Sequence, residues 1–388
     1  MFNLFKYCWH YFLLFIFFSI SAQAADWKVD GSLSQMFGYD DNFRLAKNPQ
    51  GSFEFFLTPQ VNFKRNDDDW NIAGSGSYGV RQYTYSLYDN EPQNYSINTD
   101  YKTARTIWGL NADYNKVLTN SIASTDTGNF LTSSTRITEA LNPTFTYLLN
   151  ANDSIKLSAN YLASTYTGGS GLVNNTTQSG TLDWKRVWTD RLTQNLTGSY
   201  SRSDFTSNFQ RITETYSANV GLLYKMTQHW DINSVIGERF TQQSSVANSN
   251  SSSTSSGWVA NIRLNHEDIQ SSEYVMLSRS VNPSGLGVLT QQTAFTVGYN
   301  YKFSDRWNAN INGGYSMIDT LGQAATTGSI YANRTYLTFQ PTINWKMQRD
   351  IDIGLTFIYR QQDYTYSAVS KALMLTFNYN WSGFNISR

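Results

Sequence analysis

Apolar and polar residues alternate with a period of two along most of this chain. In Ile351-Asp352-Ile353-Gly354-Leu355-Thr356-Phe357 the odd positions are apolar and the even ones are mostly not. Leu373, Leu375, Phe377, Tyr379 and Trp381 repeat the pattern, as do Phe295, Val297, Tyr299, Tyr301 and Phe303. Tyr216, Ala218, Val220, Leu222 and Tyr224 form a further row, and Phe53, Phe55, Leu57, Val61 and Phe63 another. A period of two marks a strand with two unlike faces, and no helical period interrupts the series. Tight polar turns follow alternate strands, at 66–69, 150–153, 189–191, 227–229, 304–306 and 348–350. Longer polar loops, at 168–175, 244–256 and 319–329, occupy the other end. Short turns on one side and long loops on the other are the layout of an outer-membrane barrel. Trp70, Trp188, Trp230, Trp307, Trp345 and Trp381 fall beside the tight turns, where an interfacial girdle belongs.

The elements therefore predict an all-β fold: a transmembrane antiparallel up-and-down β-barrel of about eighteen strands, sixteen being the alternative. The weakest strand is the one near Ser121 to Thr127, which has little alternation. At either count the interior is wide enough for an aqueous channel. Three prolines, Pro59, Pro143 and Pro341, sit inside strands that run toward the periplasm. Proline cannot donate to a ladder, so a local bulge is expected at each. The last strand is expected to run from Leu373 to Trp381 and to close against the first, with Ser382 to Arg388 trailing behind it.

Composition narrows the classes. Charged residues make up 15% of the 388 and aromatics another 15%, a balance unlike that of an ordinary soluble enzyme. Mean hydropathy is negative, which excludes a polytopic helical membrane protein. The formal net charge is zero, so nucleic acid is not an expected partner. Residues 1–24 carry Lys6, an apolar run from Tyr11 to Phe18 and an Ala22-Gln23-Ala24 site, the layout of a cleaved signal peptide. The barrel is then expected over 25–388, in the outer membrane of a Gram-negative bacterium. The expected partners are outer-membrane lipid and lipopolysaccharide, together with the machinery that inserts barrels.

Little in the sequence supports catalysis. The single cysteine, Cys8, lies in the leader, and only His229 and His266 remain beyond it. A hydrolase would need one of them paired with a serine or an aspartate. Asp67-Asp68-Asp69 lacks a calcium-loop frame and reads as a solvated turn. The chain is thus expected not to be an enzyme and to use no cofactor or metal.

Strand parity places Leu222, Val297, Leu355 and Phe377 toward lipid, and Asn219, Gly298, Thr356 and Asn378 inward. The same parity assigns the lumen-lining cations Lys64, Arg81, Arg105, Lys185, Arg239, Arg263, Lys302 and Arg360. The main inward acids are Asp113, Asp183 and Asp231, with Glu54 and Asp352. Glu139 and Glu214 fall on the outward parity, where a bulge or a rim position must intervene.

Tyr39-Asp40-Asp41-Asn42-Phe43, followed by Phe56-Leu57-Thr58-Pro59-Gln60-Val61-Asn62-Phe63, gives a D-N-apolar motif and then an apolar-x-P-x-apolar strand. In these motifs the chain resembles the outer-membrane β-barrel proteins associated with exosortase and exopolysaccharide gene clusters, within the broad β-barrel porin group. The resemblance implies a role in polysaccharide export or surface assembly. Together the readings point to a pore for hydrophilic solute or polysaccharide. A structural or accessory factor of surface polysaccharide assembly is the alternative, and an outer-membrane hydrolase the more distant one.

Overall fold

The computed structural model describes residues 26–127, 130–168, 171–206, 211–245, 252–321, 333–364 and 366–386. The leader expected over 1–24 lies outside the described residues. The first strands are β1 (Asp26–Asp40), β2 (Ser52–Asn66), β3 (Trp70–Tyr78), β4 (Val80–Tyr83), β5 (Gln93–Lys102) and β6 (Thr106–Leu118). Next come β7 (Thr135–Leu148), β8 (Asp153–Thr167), β9 (Asn174–Thr189), β10 (Leu192–Thr206), β11 (Arg211–Lys225) and β12 (Trp230–Ser245). The last are β13 (Ser252–Glu267), β14 (Ser271–Ser284), β15 (Val288–Lys302), β16 (Trp307–Thr320), β17 (Arg334–Gln348), β18 (Ile351–Asp363) and β19 (Ser367–Ile386).

Each strand pairs antiparallel with its sequence neighbours, and β1 pairs with both β2 and β19, so the sheet closes on itself. β3 and β4 are two pieces of one transmembrane strand. Both pair with β2, in one unbroken register from Asn66↔Asn71 to Glu54↔Tyr83. The nineteen segments therefore make eighteen crossings. A closed barrel satisfies every ladder internally, which is why strands can stand in hydrocarbon at all.

The eighteenth strand is not the one expected near Ser121 to Thr127. That segment is a 3-10 turn (Thr119–Ile122) and an irregular loop joining β6 to β7. The strand count is completed instead by the β3–β4 composite. Turns at one end of the barrel, at 67–69, 103–105, 149–152, 190–191, 226–229, 268–270, 303–306 and 349–350, are short. Most connections at the other end are longer, and the first strand begins and the last ends on the short-turn side.

Phe37, Leu157, Leu182, Ile236, Phe295, Leu355 and Leu375 are exposed apolar side chains on one parity of their strands. They form an apolar belt round the outside. Trp307 stacks on Trp345 at 5.8 Å and Trp70 meets Tyr101 edge-on at 6.3 Å beside the short turns. Tyr200–Tyr216 and Tyr39–Phe53, each 5.0 Å apart, mark the opposite rim. This belt and its two girdles belong to a barrel of the bacterial outer membrane.

The prolines do not make bulges. Around Pro143 the β7–β8 ladder skips from Leu141↔Tyr161 to Thr144↔Ser158 in the same register. Around Pro341 the β17–β18 ladder skips from Phe339↔Tyr359 to Thr342↔Thr356, again in register. Around Pro59 the skip falls at the β3–β4 break. Each proline drops two residues from one ladder while its other neighbour, such as Leu110 beside Pro143, stays paired. The missing N–H opens a gap, and the pairs on either side hold the register.

True bulges lie elsewhere. One shifts the β1–β19 register between Val29 and Gly31. There Gly383 takes φ 69° and resets parity, so that Trp381 and Phe384 both face outward with rings 6.0 Å apart. β19 thereby continues to Ile386 opposite Trp27. Ser382 to Ile386 are thus part of the closing strand and do not trail behind it.

Candidate functional site: the barrel lumen

The inward positions carry mainly Ser, Thr and Asn, bonded across strands. Ser75 meets Ser96 at 2.8 Å, Ser199 meets Ser217 at 2.6 Å and Thr342 meets Thr356 at 2.9 Å. Each pair sits opposite in its ladder, so the hydroxyls satisfy one another along the wall. Thr356 is inward but only 8% exposed, so that part of the wall is enclosed.

The strand register gives the surroundings of those anticipated lumen residues that lie in strands. Lys64 borders a recess of about 420 Å³ with Lys28, Asp30, Asn62 and Ser75. Within it Asp30 accepts from Asn62 at 2.8 Å and pairs with Lys28 at 3.1 Å. Asp183 accepts from Thr197 at 2.5 Å and Asn195 at 3.3 Å, and Lys185 stands two residues further along β9. Asp231 accepts from Asn265 (2.9 Å), whose amide oxygen takes the Arg263 Nε–H at 2.6 Å. The Arg263 guanidinium also lies 4.0 Å over the Tyr274 ring. Asp113 is bonded by Asn111 at 2.8 Å. Lys302 reaches the periplasmic-side turn and pairs with Asp305 at 2.8 Å, which holds the Asp305 carboxyl below its ordinary range through that hydrogen bond and charge.

Arg105 is a correction. It lies in the exposed turn between β5 and β6, where its carbonyl accepts from Leu148, and it does not line the wall. Parity cannot be extended from a strand into a turn. Glu214 does face outward, taking the Tyr200 hydroxyl at 2.8 Å close to the loop-side end of β11. No register shift occurs in either β11 ladder, so the rim position alone accommodates it.

The extracellular half is filled by chain that the strand pattern does not reveal. The β1–β2 loop (41–51), the β4–β5 loop (84–92) and the described parts of the β6–β7 loop (119–127 and 130–134) fold together. Leu45, Ala123, Phe130 and Ala368 form one buried cluster, flanked by Tyr336 and Tyr366. Phe43, Tyr88 and Leu118 form a second, flanked by Tyr83 and Tyr85. Asp126, 3% exposed, ties the third loop down. Its carboxylate accepts from the Tyr166 hydroxyl at 2.7 Å and the Gly285 N–H at 2.8 Å, and lies 3.6 Å from Arg136. Ser284 donates to the Asp126 carbonyl at 3.0 Å, and Arg334 donates to that of Thr127. The first loop is tied at Asp40, which takes Ser370 at 2.7 Å and pairs with Arg360. Arg81 sits nearby, 4.8 Å over Phe56, and its backbone bridges to Asn90.

Sequence reasoning missed these knots. Tyr166, Gly285 and Arg334 come to this loop from far along the chain, and the only trace of the loop was its want of alternation.

The histidines stand at the periplasmic girdle. His229 Nδ1 is 2.8 Å from the Glu267 carbonyl. His266 lies 4.4 Å from the Trp230 ring and bonds Glu273 on the outward parity. Among the described residues, no group of three His, Cys, Asp or Glu could hold a metal ion.

No protein-family model matches the sequence, and no curated protein matches it. Among solved structures the chain is similar to OccAB4 of Acinetobacter baumannii, with 10% identity over 94% of this chain and 99% of that one and a TM-score of 0.52. It is also similar to OccAB3 of the same organism, with 8% identity over 93% and 99% and a TM-score of 0.51. OpdK of Pseudomonas aeruginosa, solved with vanillate, gives 9% identity over 92% and 99% and a TM-score of 0.51. These neighbours are outer-membrane β-barrel porins, and at such identities the likeness carries the fold alone. It bears on the barrel and not on the exosortase resemblance.

Proposed function

We propose that the protein is an outer-membrane pore for small hydrophilic solutes and not an enzyme. The observation that carries this reading is a polar inner wall narrowed by loops knotted inside its extracellular half around Asp126. An eighteen-stranded barrel left empty would be a wide hole. Folding loops into it at the cost of burying Asp126 beside Arg136 makes sense where passage must be restricted. Inward cations such as Lys64, Lys185, Arg263 and Arg360 outnumber inward acids, and basic walls favour anions.

Conductance of the purified protein in a planar bilayer tests the reading. The wild type should give discrete ohmic steps that lean toward anions by reversal potential under a salt gradient. An absence of steps from folded protein would defeat the pore, and cation selectivity would defeat the charge argument. Passage of polysaccharide is the finer reading supported by the rows of inward hydroxyls and amides, which suit sugar hydroxyls. It requires the loops to withdraw. Block of the current by added polysaccharide, and not by its monosaccharides, would favour it.

A further inference from the structure

The ladder between β13 and β14 stops halfway. It runs from Glu267↔Ser272 to Ala260↔Arg279 and no further. Yet β13 stays paired with β12 up to Ser244↔Ser252, and β14 with β15 up to Ser284↔Val288. Above Arg279 the β14–β15 hairpin has left the wall. Leu289 shares the lipid-facing parity of Phe295 but is only 5% exposed, and it lines a crevice with the inward residues Thr213, Thr241 and Ser255. The hairpin tip is anchored inside by the Asp126 knot. Continuing the register would set Pro283, which has no N–H to give, opposite Ser256. The wall therefore forks at the level of Trp258, where the apolar belt meets the outer rim.

Two arginines meet at this fork. Arg239 points inward, is 4% exposed, and donates to Thr241 at 3.0 Å and Gln291 at 3.1 Å. The charged neighbour acting on it is Arg279, a second cation. Arg279 comes from the outward face and lies 4.3 Å over the Trp258 ring. Among the described residues the Nε–H of each has no acceptor, and neither arginine enters an ion pair. Glu238, on the outward face opposite Trp258, is the nearest carboxylate by register and pairs with neither. Buried guanidinium without a counter-ion is costly, and a carboxylate is the group whose geometry suits it.

We propose that the β13–β14 fork binds the carboxylate of a long-chain amphiphile, its head at Arg239 and Arg279 and its tail along Ile236 and Leu277 on the lipid face. The fork thereby joins the lumen to the outer leaflet. A lipopolysaccharide phosphate suits the site less, because Arg239 is 4% exposed and a sugar-borne phosphate would have to bring its sugar into the wall.

The test uses the full chain in phosphatidylcholine nanodiscs titrated with dansyl-undecanoate, read by energy transfer from tryptophan. Saturable binding is expected, weakened at least tenfold in Arg239→Gln and in Arg279→Gln and unchanged in Arg105→Gln. Glu238→Gln should tighten it. Heat-modifiable migration confirms that each variant is folded. Equal affinity in every variant, or equal affinity for the methyl ester, overturns the proposal. So does purified lipopolysaccharide protecting the site while the carboxylate fails to bind. Conductance is read separately, so failure here leaves the pore reading standing.

Discussion

Gly383 shows how much one residue can decide. At φ 69° it occupies the left-handed region, and a Cβ built there would lie 1.6 Å from the Val29 carbonyl oxygen. Only glycine fits without moving the β1–β19 seam. Gly383→Ala should therefore destabilise closure by about 1–3 kcal/mol from backbone strain alone, with the clash added. Gly198→Ala is the control, since nothing lies within 4 Å of its Cβ position. Urea unfolding from lipid vesicles should show a lowered midpoint for the first and little change for the second. Equal midpoints would mean that the bulge is not needed. Arg65 makes a related point at the periplasmic girdle. It sits between the Trp27 and Trp70 rings, 5.7 and 5.9 Å from their centroids, and pairs with Asp67 at 3.2 Å. A cation on the lipid-facing parity is tolerable there because aromatic faces and a turn carboxylate surround it.

Among the elements, the β6–β7 loop matters most for passage. Asp126 bonds three elements at once, so its loss should free the loop without touching the wall. Removing one partner of a buried charge pair commonly costs 3–5 kcal/mol, enough to undock a loop. Asp126→Ala should raise single-channel conductance and add current noise while the barrel stays heat-modifiable. Unchanged conductance with intact folding would show that the loop does not narrow the path. Phe130→Ala, which empties the cluster with Leu45 and Ala123, should act in the same direction. The proline gaps are a different kind of element feature. Pro59, Pro143 and Pro341 interrupt a ladder on one side only, and the intact register across each gap shows that pairing on both flanks fixes the alignment.

For the whole molecule, the two faces of the wall must respond differently to charge. Leu375 is 49% exposed on the belt of β19, whereas Asn378 lies inward opposite Asp352. Leu375→Arg should cost roughly 2–4 kcal/mol near mid-bilayer, and Asn378→Arg should be tolerated. Folding yield into phospholipid vesicles measures both, and equal damage would contradict the assigned faces. Removing Leu373 to Arg388 should abolish folding. Removing only Phe384 to Arg388 should weaken it, since Phe384 pairs with Val29 and Ile386 with Trp27. A fully stable product of either deletion would mean that the barrel closes elsewhere.

The period-two pattern by itself determined that the chain is an antiparallel barrel with an apolar and a polar parity on each strand. Those are properties of single strands and their turns, and alternation with turn length encodes them directly. The strand parity of Lys64, Asp183 and Arg263 was legible for that reason. Arg105 was not, because parity ends where the ladder ends. Only the tertiary structure decided how the lumen is used. The Asp126 knot joins residues from β7, β8 and the β14–β15 tip, and the fork depends on one ladder stopping while its neighbours continue. Loops have no period, and their partners are set by three-dimensional proximity across the barrel. Contacts of that kind leave no repeating mark in the chain that makes them.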